Sequence, residues 1–265
     1  MKPTAWDHSS HTEFVEYYAE KSARPEQIQH FRSIQKAILA RVGQRREKNE
    51  TLEVVDIGCN AGTQCLVWAE LGHRVHGLDV NEPLLKLAGD RAGQAGYNID
   101  FRLGSAVALP WSDSSMDVCI ALELLEHVAD WERCLDEFTR ILRPGGVLYF
   151  STTNRLCPWQ QEFKLFAYSW YPGPLKRHYE RLASTTRPAL ANYAVYPAVN
   201  WFTPYQLHRE MRRRGLLSFD RFDLIDISEK GKAARFAISM IRAVPAVRLL
   251  ANFCHSSSML LGVKK

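Results

Sequence analysis

The stretch Thr51-Leu-Glu-Val-Val-Asp-Ile-Gly-Cys-Asn-Ala-Gly-Thr-Gln-Cys-Leu-Val-Trp-Ala-Glu-Leu-Gly72 decides the fold. Its apolar first half, LEVVDIG, reads as a buried strand, and Thr63–Leu71 reads as a helix stopped by Gly72. The glycine-containing turn between them lets a ligand approach backbone N–H groups at a helix N-terminus. Working outward, RVHGLDV reads as a second strand, Glu82–Arg91 as a helix, IDFRLG as a third strand and MDVCIAL as a fourth. Trp131–Leu142 follows as a helix with Asp130 as N-cap and Cys134, Leu135, Phe138, Ile141 and Leu142 inward. The turn Arg143-Pro-Gly-Gly146 ends it, and GVLYFST is a fifth strand. Strand–helix alternation at this spacing calls for an α/β fold, a parallel sheet with right-handed crossovers and helices on both faces.

The ligand of the first turn is not read as a nicotinamide dinucleotide. That fingerprint, G-x-G-x-x-G, needs glycine at 58, 60 and 63, where the chain has Gly58, Asn60 and Thr63. An acidic residue at the end of the second strand can still accept hydrogen bonds from the vicinal hydroxyls of a ribose, and Asp79 stands there.

Asp56-x-Gly58-x-Asn60-x-Gly62, then Gly77-Leu-Asp79, Gly104-Ser-Ala, Leu109-Pro-Trp-Ser-Asp-Ser-Ser-Met-Asp117 and Arg143-Pro-Gly-Gly146, resembles the class I methyltransferases in register over roughly residues 50–155. The resemblance implies a Rossmann-like seven-stranded, mostly parallel sheet whose last strand is antiparallel, which suits a terminal SMLLGVK. It also implies S-adenosylmethionine as cofactor. Asp56, Gly58 and Gly62 would line its methionine part, with Asn60 and Gln64 in the same turn. Asp79 would hold the ribose beside Val80, Ser105 and Ala106 would flank the adenine, and Leu122 would lie beneath. By analogy with related enzymes, Arg32 on the N-terminal helix would meet the cofactor carboxylate. Two positions depart from the pattern. Asn60 replaces a glycine, tolerable because Asn enters left-handed conformations readily, and Ser105 replaces an aspartate.

After the fourth strand comes Glu123-Leu-Leu-Glu126-His127, which with Phe150-Ser-Thr-Thr-Asn-Arg155 most resembles the ubiquinone-biosynthesis O-methyltransferases (methyltransferase type 11 domain). In some members E-x-x-E-H is associated with a divalent metal. On that reading Glu123, Glu126 and His127 would hold an ion such as Mg2+; on the competing one His127 is a general base beside Glu126. The run Leu-Glu-His-Val also occurs widely in the class without a metal, the His bracing the loop. Methyl transfer to a phenol of pKa ~10 at neutral pH favours a base or a metal.

Organisation follows from these anchors. Residues 1–50 form an N-terminal helical cap, with Phe31, Ile34, Ile38 and Val42 on one helix face after Pro25 and a charged run Gln44–Glu50 closing it. Residues 51–154 are the cofactor-binding core. Residues 155–200, rich in aromatic and basic side chains and in proline, are too long for a plain connection and read as a lid inserted after strand five. Residues 201–265 complete the fold, with a helix from Thr203-Pro-Tyr-Gln206 to Gly215, FDRFDLIDI as a strand candidate and SMLLGVK as the last strand.

The chain has 265 residues, 46% hydrophobic and 24% charged, and a net charge of +5. From Lys230 to Lys265 there are seven Lys/Arg and no Asp or Glu, so the basic excess is local, which argues against a nucleic-acid binder. Six cysteines without a C-x-x-C pair and a start without an apolar h-region read as free thiols in a cytoplasmic protein. Lys230–Phe253 reads either as a helix packed on the sheet or, with the basic part of the insert (155–187), as a peripheral contact on the inner face of a membrane. The expected activity is O-methylation of a hydroxyl on a small aromatic or lipid-linked acceptor. The alternatives are a sugar or other polar precursor, and, outside the class, a nicotinamide oxidoreductase or a non-catalytic cofactor-binding module.

Overall fold

The structure, a computed structural model, describes residues 19–42, 50–160, 162–191, 198–228 and 230–265. The expectations for residues 1–18, for the charged run at 44–49, and for Tyr193, Tyr196 and Pro197 in the insert lie outside the described residues.

Seven strands, β1 (Glu53–Ile57), β2 (Arg74–Asp79), β3 (Asp100–Leu103), β4 (Met116–Leu122), β5 (Leu142–Thr153), β6 (Leu216–Asp220) and β7 (Ser257–Lys264), form one sheet in the order β3-β2-β1-β4-β5-β7-β6. Strands β1 to β5 pair in parallel, and β7 runs antiparallel between β5 and β6. The expected α/β fold with an antiparallel last strand is observed. Period-two alternation divides the sheet residues between two cores. On one face Val54, Val118, Ile120, Val147 and Leu261 meet Ile34 and Ile38 of α1 (Pro25–Val42) and Trp68 of α2 (Thr63–Ala69). Leu85 of α3 (Glu82–Gln94) joins that face. On the other, Val55, Ile57, Cys119, Leu148 and Phe150 meet Leu135 and Phe138 of α4 (Trp131–Ile141). Leu207 and Met211 of α6 (Pro204–Arg213) complete it. The insert carries α5 (Gly173–Thr185) and a small core of its own, in which Phe163 stacks on Tyr168 with ring centroids 4.0 Å apart.

Three local expectations need correction. The Arg143-Pro-Gly-Gly146 segment is no separate turn but the first part of β5, where Gly145 bends the chain at φ +80° and Arg143 pairs with buried Asp117 at 2.8 Å. FDRFDLIDI is strand only in its first two residues, Phe219 and Asp220, which end β6. Asp220 ends β6 and, through a capping box with Asp223, starts the short helix α7 (Arg221–Leu224). The two carboxylates are tied to Arg248, at 3.0 Å from Asp220 and 2.6 Å from Asp223.

Nor does Lys230–Phe253 pack on the sheet. It forms two helices, α8 (Lys232–Ala243) and α9 (Pro245–Phe253), bent by 108° at the proline. No residue of α8 is buried, and in α9 Asn252 alone is. The arginines that space the apolar residues serve as anchors. Arg242 donates to the carbonyls of Phe222, Asp223 and Ile225, and Arg248 ties α9 to α7.

Candidate functional site

The strand order reverses between β1 and β4, and in an open α/β sheet the crevice outside the strand C-termini at such a point is where ligands sit. The loop after β1 turns there on three left-handed residues, Gly58 (φ +77°), Asn60 (φ +49°) and Gly62 (φ +74°). Asn60 therefore takes the backbone shape of the glycine it replaces, and its side-chain amide donates to the Gly58 carbonyl at 3.0 Å. No other residue type fits Gly62. A Cβ there would meet the Ala88 Cβ at 2.8 Å and the Phe101 ring at 3.0 Å.

Asp79, at the end of β2, holds the loop in place. Its two oxygens accept from the backbone N–H groups of Asn60 and Asn81, at 2.8 and 2.9 Å. A carboxylate oxygen has a second lone pair, so capacity to accept from a ligand remains. Asp56, at the β1 end, is fully enclosed. Burial first, and the nearby Asp79 charge second, push its carboxyl from 3.8 up to about 7.

Around this loop lie polar atoms with nothing to bind and apolar side chains with nothing to cover them. Both side-chain amide atoms of buried Gln64 and the amide nitrogen of buried Asn81 lack a partner among the described residues. Such groups cost free energy unless a ligand or water satisfies them. Val80 (51% exposed) and Leu103 (59% exposed) stand at the ends of β2 and β3, next to the register pair Asp79–Leu103. Ser105 is exposed and Ala106 buried just beyond. Leu122 ends β4 half-buried, and the Leu124 side chain would lie 3.3 Å from a Cβ on Gly58. Leu103 and Leu124 carried no motif signal.

Arg32 is not brought to this loop. It pairs with Glu70 at 3.0 Å, at the C-cap of α2, the opposite end of the helix from the Gly58–Gly62 turn. Arg91 approaches the loop instead, reaching the Ala61 carbonyl at 3.4 Å while also binding Ser22 and the carbonyl of Ala19.

Past β4 the chain is strained at Glu123, a non-glycine residue at φ +46°. Glu126 is wholly buried and accepts from the Thr152 hydroxyl at 2.7 Å, while its other oxygen has no donor among the described residues. Burial, then the charge of Glu123, raises its pKa well above the carboxylate range. The insert supplies the third member of the group. His127 Nε2 lies 3.9 Å from Glu162, and one ligand atom from each of Glu126, His127 and Glu162 fits within 4.8 Å. Glu162 thus joins Glu126 and His127 of the expected trio, while the exposed Glu123 lies near Glu126 and outside this group. Asn200, at the far end of the insert, donates to the carbonyls of Leu125 and Val128 and so pins this loop. Beside Glu123, under α1, is a cavity of about 210 Å3 that reaches Tyr149, Arg221 and Ser257.

Residues 55–150 match a family of methyltransferase domains. A ubiquinone biosynthesis O-methyltransferase of Maricaulis maris is 35% identical over 152 residues, 55% of this chain and 58% of that protein. One of Sinorhizobium medicae is 36% identical over 110 residues, 42% and 44% of the two chains. The chain thus spans about half the length of the curated relatives it matches. A solved S-adenosylmethionine-dependent methyltransferase from Mesorhizobium loti shares the fold, with a TM-score of 0.55 at 18% identity over 86% of this chain and 98% of that one.

Proposed function

We propose that this chain, whose residues 55–150 form a methyltransferase domain, uses S-adenosylmethionine to methylate a hydroxyl oxygen on a small aromatic or lipid-linked acceptor. One observation carries the reading. At the point where the strand order reverses, unpartnered buried amides, uncovered apolar side chains and the Asp79 carboxylate converge on a left-handed glycine loop. A nucleoside with a polar, charged tail satisfies all three at once.

In this reading the cofactor supplies a methyl group on a sulfonium. Asp56, Gly58, Asn60, Gly62 and Gln64 receive the amino-acid end, and Asp79 accepts from the ribose hydroxyls. Val80, Leu103, Ser105 and Ala106 border the adenine, with Leu122 and Leu124 beneath. His127 takes the proton from the acceptor hydroxyl, and Glu126, fixed by Thr152, holds the loop that presents it. Glu126, His127 and Glu162 would also suit a divalent cation such as Mg2+, which would lower the pKa of a bound hydroxyl. Residues 155–200 act as a lid that contributes Glu162 and Asn200 to the acceptor side.

The lipid-linked form of the acceptor draws on the bent pair α8–α9. Phe236 (69% exposed) and Leu250 (67% exposed) project from helices that carry basic residues and no acidic ones. Trp170 of the insert meets Phe253 edge-on at 6.1 Å, which joins the exposed aromatic side chains of the lid to the same surface. An anionic membrane surface suits that composition.

Purified protein with tritiated S-adenosylmethionine, incubated with separate lipid and aqueous extracts with Mg2+ or EDTA, tests the whole. Label in the lipid fraction that EDTA abolishes is expected. Label confined to the aqueous fraction would overturn the lipid-linked acceptor, and label in neither would count against transfer to a small molecule.

A further inference from the structure

The cavity beside Glu123 has a charged wall that the methyl-transfer reading does not use. It lies against β5 and β7 where α1 crosses them, and a second space of about 280 Å3 shares His30, Ile34, Tyr149, Arg221 and Met259 with it. Arg221 therefore borders both. It is the first residue of α7, a helix held by the Asp220–Asp223 capping box and by Arg248. One of its nitrogens, Nη2, donates to the carbonyl and the hydroxyl oxygen of Ser257. Its Nε and Nη1 have no hydrogen-bond partner among the described residues, and no carboxylate there lies within ion-pair distance. Every other arginine anchoring this region, Arg242 and Arg248, is spent on carbonyls or on Asp220 and Asp223.

A half-buried guanidinium with unspent N–H groups, lining a cavity, is completed by water or, more strongly, by an anion. Guanidinium is a planar donor whose best complement is a carboxylate. The cavity is polarised, because Glu123 at its β4 end repels an anion while Arg221 attracts one. Ile34, Tyr149 and Met259 between them offer flanks for an apolar body.

We propose that Arg221 is the specificity-determining residue for the acceptor, which it receives by a carboxylate, so that the acceptor is a hydroxylated aromatic acid bound acid end to Arg221 and Ser257. The hydroxyl end then points towards Glu123 and the C-terminal edge of β4. This rests on the methyltransferase reading for the identity of the acceptor, but the anion subsite can be tested without turnover.

The probes are benzoate and benzamide, which share ring and size and differ in charge, titrated calorimetrically into the full chain with S-adenosylhomocysteine present. Benzoate is expected to bind about tenfold or more tightly than benzamide, a difference of about 1.4 kcal/mol. Arg221→Gln should erase the preference and Arg221→Lys should keep part of it. In turnover on hydroxybenzoates, Arg221→Gln should raise KM about tenfold and leave kcat within a small factor. Equal binding of the two probes to the unaltered protein overturns the proposal, whether or not the Gln variant folds. So does an unchanged preference in a Gln variant that keeps its thermal midpoint. Tight benzoate binding in a protein that methylates no acceptor would instead overturn the methyltransferase reading, so the two failures are distinguishable.

Discussion

Two glycines of the same backbone shape separate conformational strain from crowding. Gly62 (φ +74°) and Gly72 (φ +78°) both occupy the left-handed region, yet a Cβ on Gly72 meets nothing within 4 Å. Gly72→Ala should cost only the backbone strain, about 1 kcal/mol. Gly62→Ala should cost about 2–4 kcal/mol by adding overpacking against Ala88 and Phe101, and should also weaken cofactor binding. Urea unfolding of both variants checks the difference; equal losses would mean that the loop yields. Asp56 makes a prediction of opposite character. Its folded pKa of about 7 lies above the unfolded 3.8, so between these values the folded chain holds a proton that the unfolded chain has released. Stability of the cofactor-free protein should therefore fall as pH rises from about 4 to 7, by roughly 4 kcal/mol from this group. Asp56→Asn should remove that part of the slope in a series of melts.

At the scale of elements, the junction from β6 to α7 depends on one carboxylate. Asp220 is desolvated, which acts to raise its pKa, but the nearby His208 ring, 3.7 Å away, and the hydrogen bond from Arg248 prevail and bring it down to about 2. The folded pKa lies below the unfolded 3.8, so this stabilisation is full above about pH 4 and is lost as pH falls through 2. Asp220→Asn should lower stability at pH 7 by about 2 kcal/mol, and the gap should close in acid. Because the same carboxylate caps the helix that begins with Arg221, the variant should also raise the KM for the acceptor. A change in stability without any change in KM would show that α7 holds its place by other contacts.

For the whole molecule, the α8–α9 pair exposes Phe236 and Leu250 among basic residues, and Phe253 of α9 meets Trp170 of the insert. Phe236→Glu with Leu250→Glu should cut co-sedimentation with vesicles containing anionic lipid by about tenfold, because each removes apolar contact and adds a negative charge that the lipid repels. Cofactor affinity should stay unchanged, since both side chains are highly exposed and lie outside the Gly58–Gly62 loop. Equal binding of the double variant and the parent would dismiss this surface as the contact. No single helix among the described residues is long and apolar enough to cross a membrane.

The sequence by itself determined six of the seven strands, all but β6, and the loop Asp56–Gly62 with Asp79. These depend on short-range spacing: apolar runs of strand length, glycines where the backbone must turn left, and an acid at the end of a strand. Tertiary structure alone decided what long side chains meet. Arg32 lies on the expected helix, but Glu70 captures it. Glu162 joins Glu126 and His127 only because the insert folds back across the sheet edge, and Arg221 reaches the cavity only because β7 returns between β5 and β6. The tail helices make the same point. Their pattern of arginines and apolar residues fits a packed helix and a surface helix equally well. Arg242 and Arg248 choose between them by binding α7 and the residue that caps it, which leaves the apolar face uncovered. Local patterns constrain backbone shape, whereas the partner of a flexible charged side chain is set by which distant segment arrives beside it.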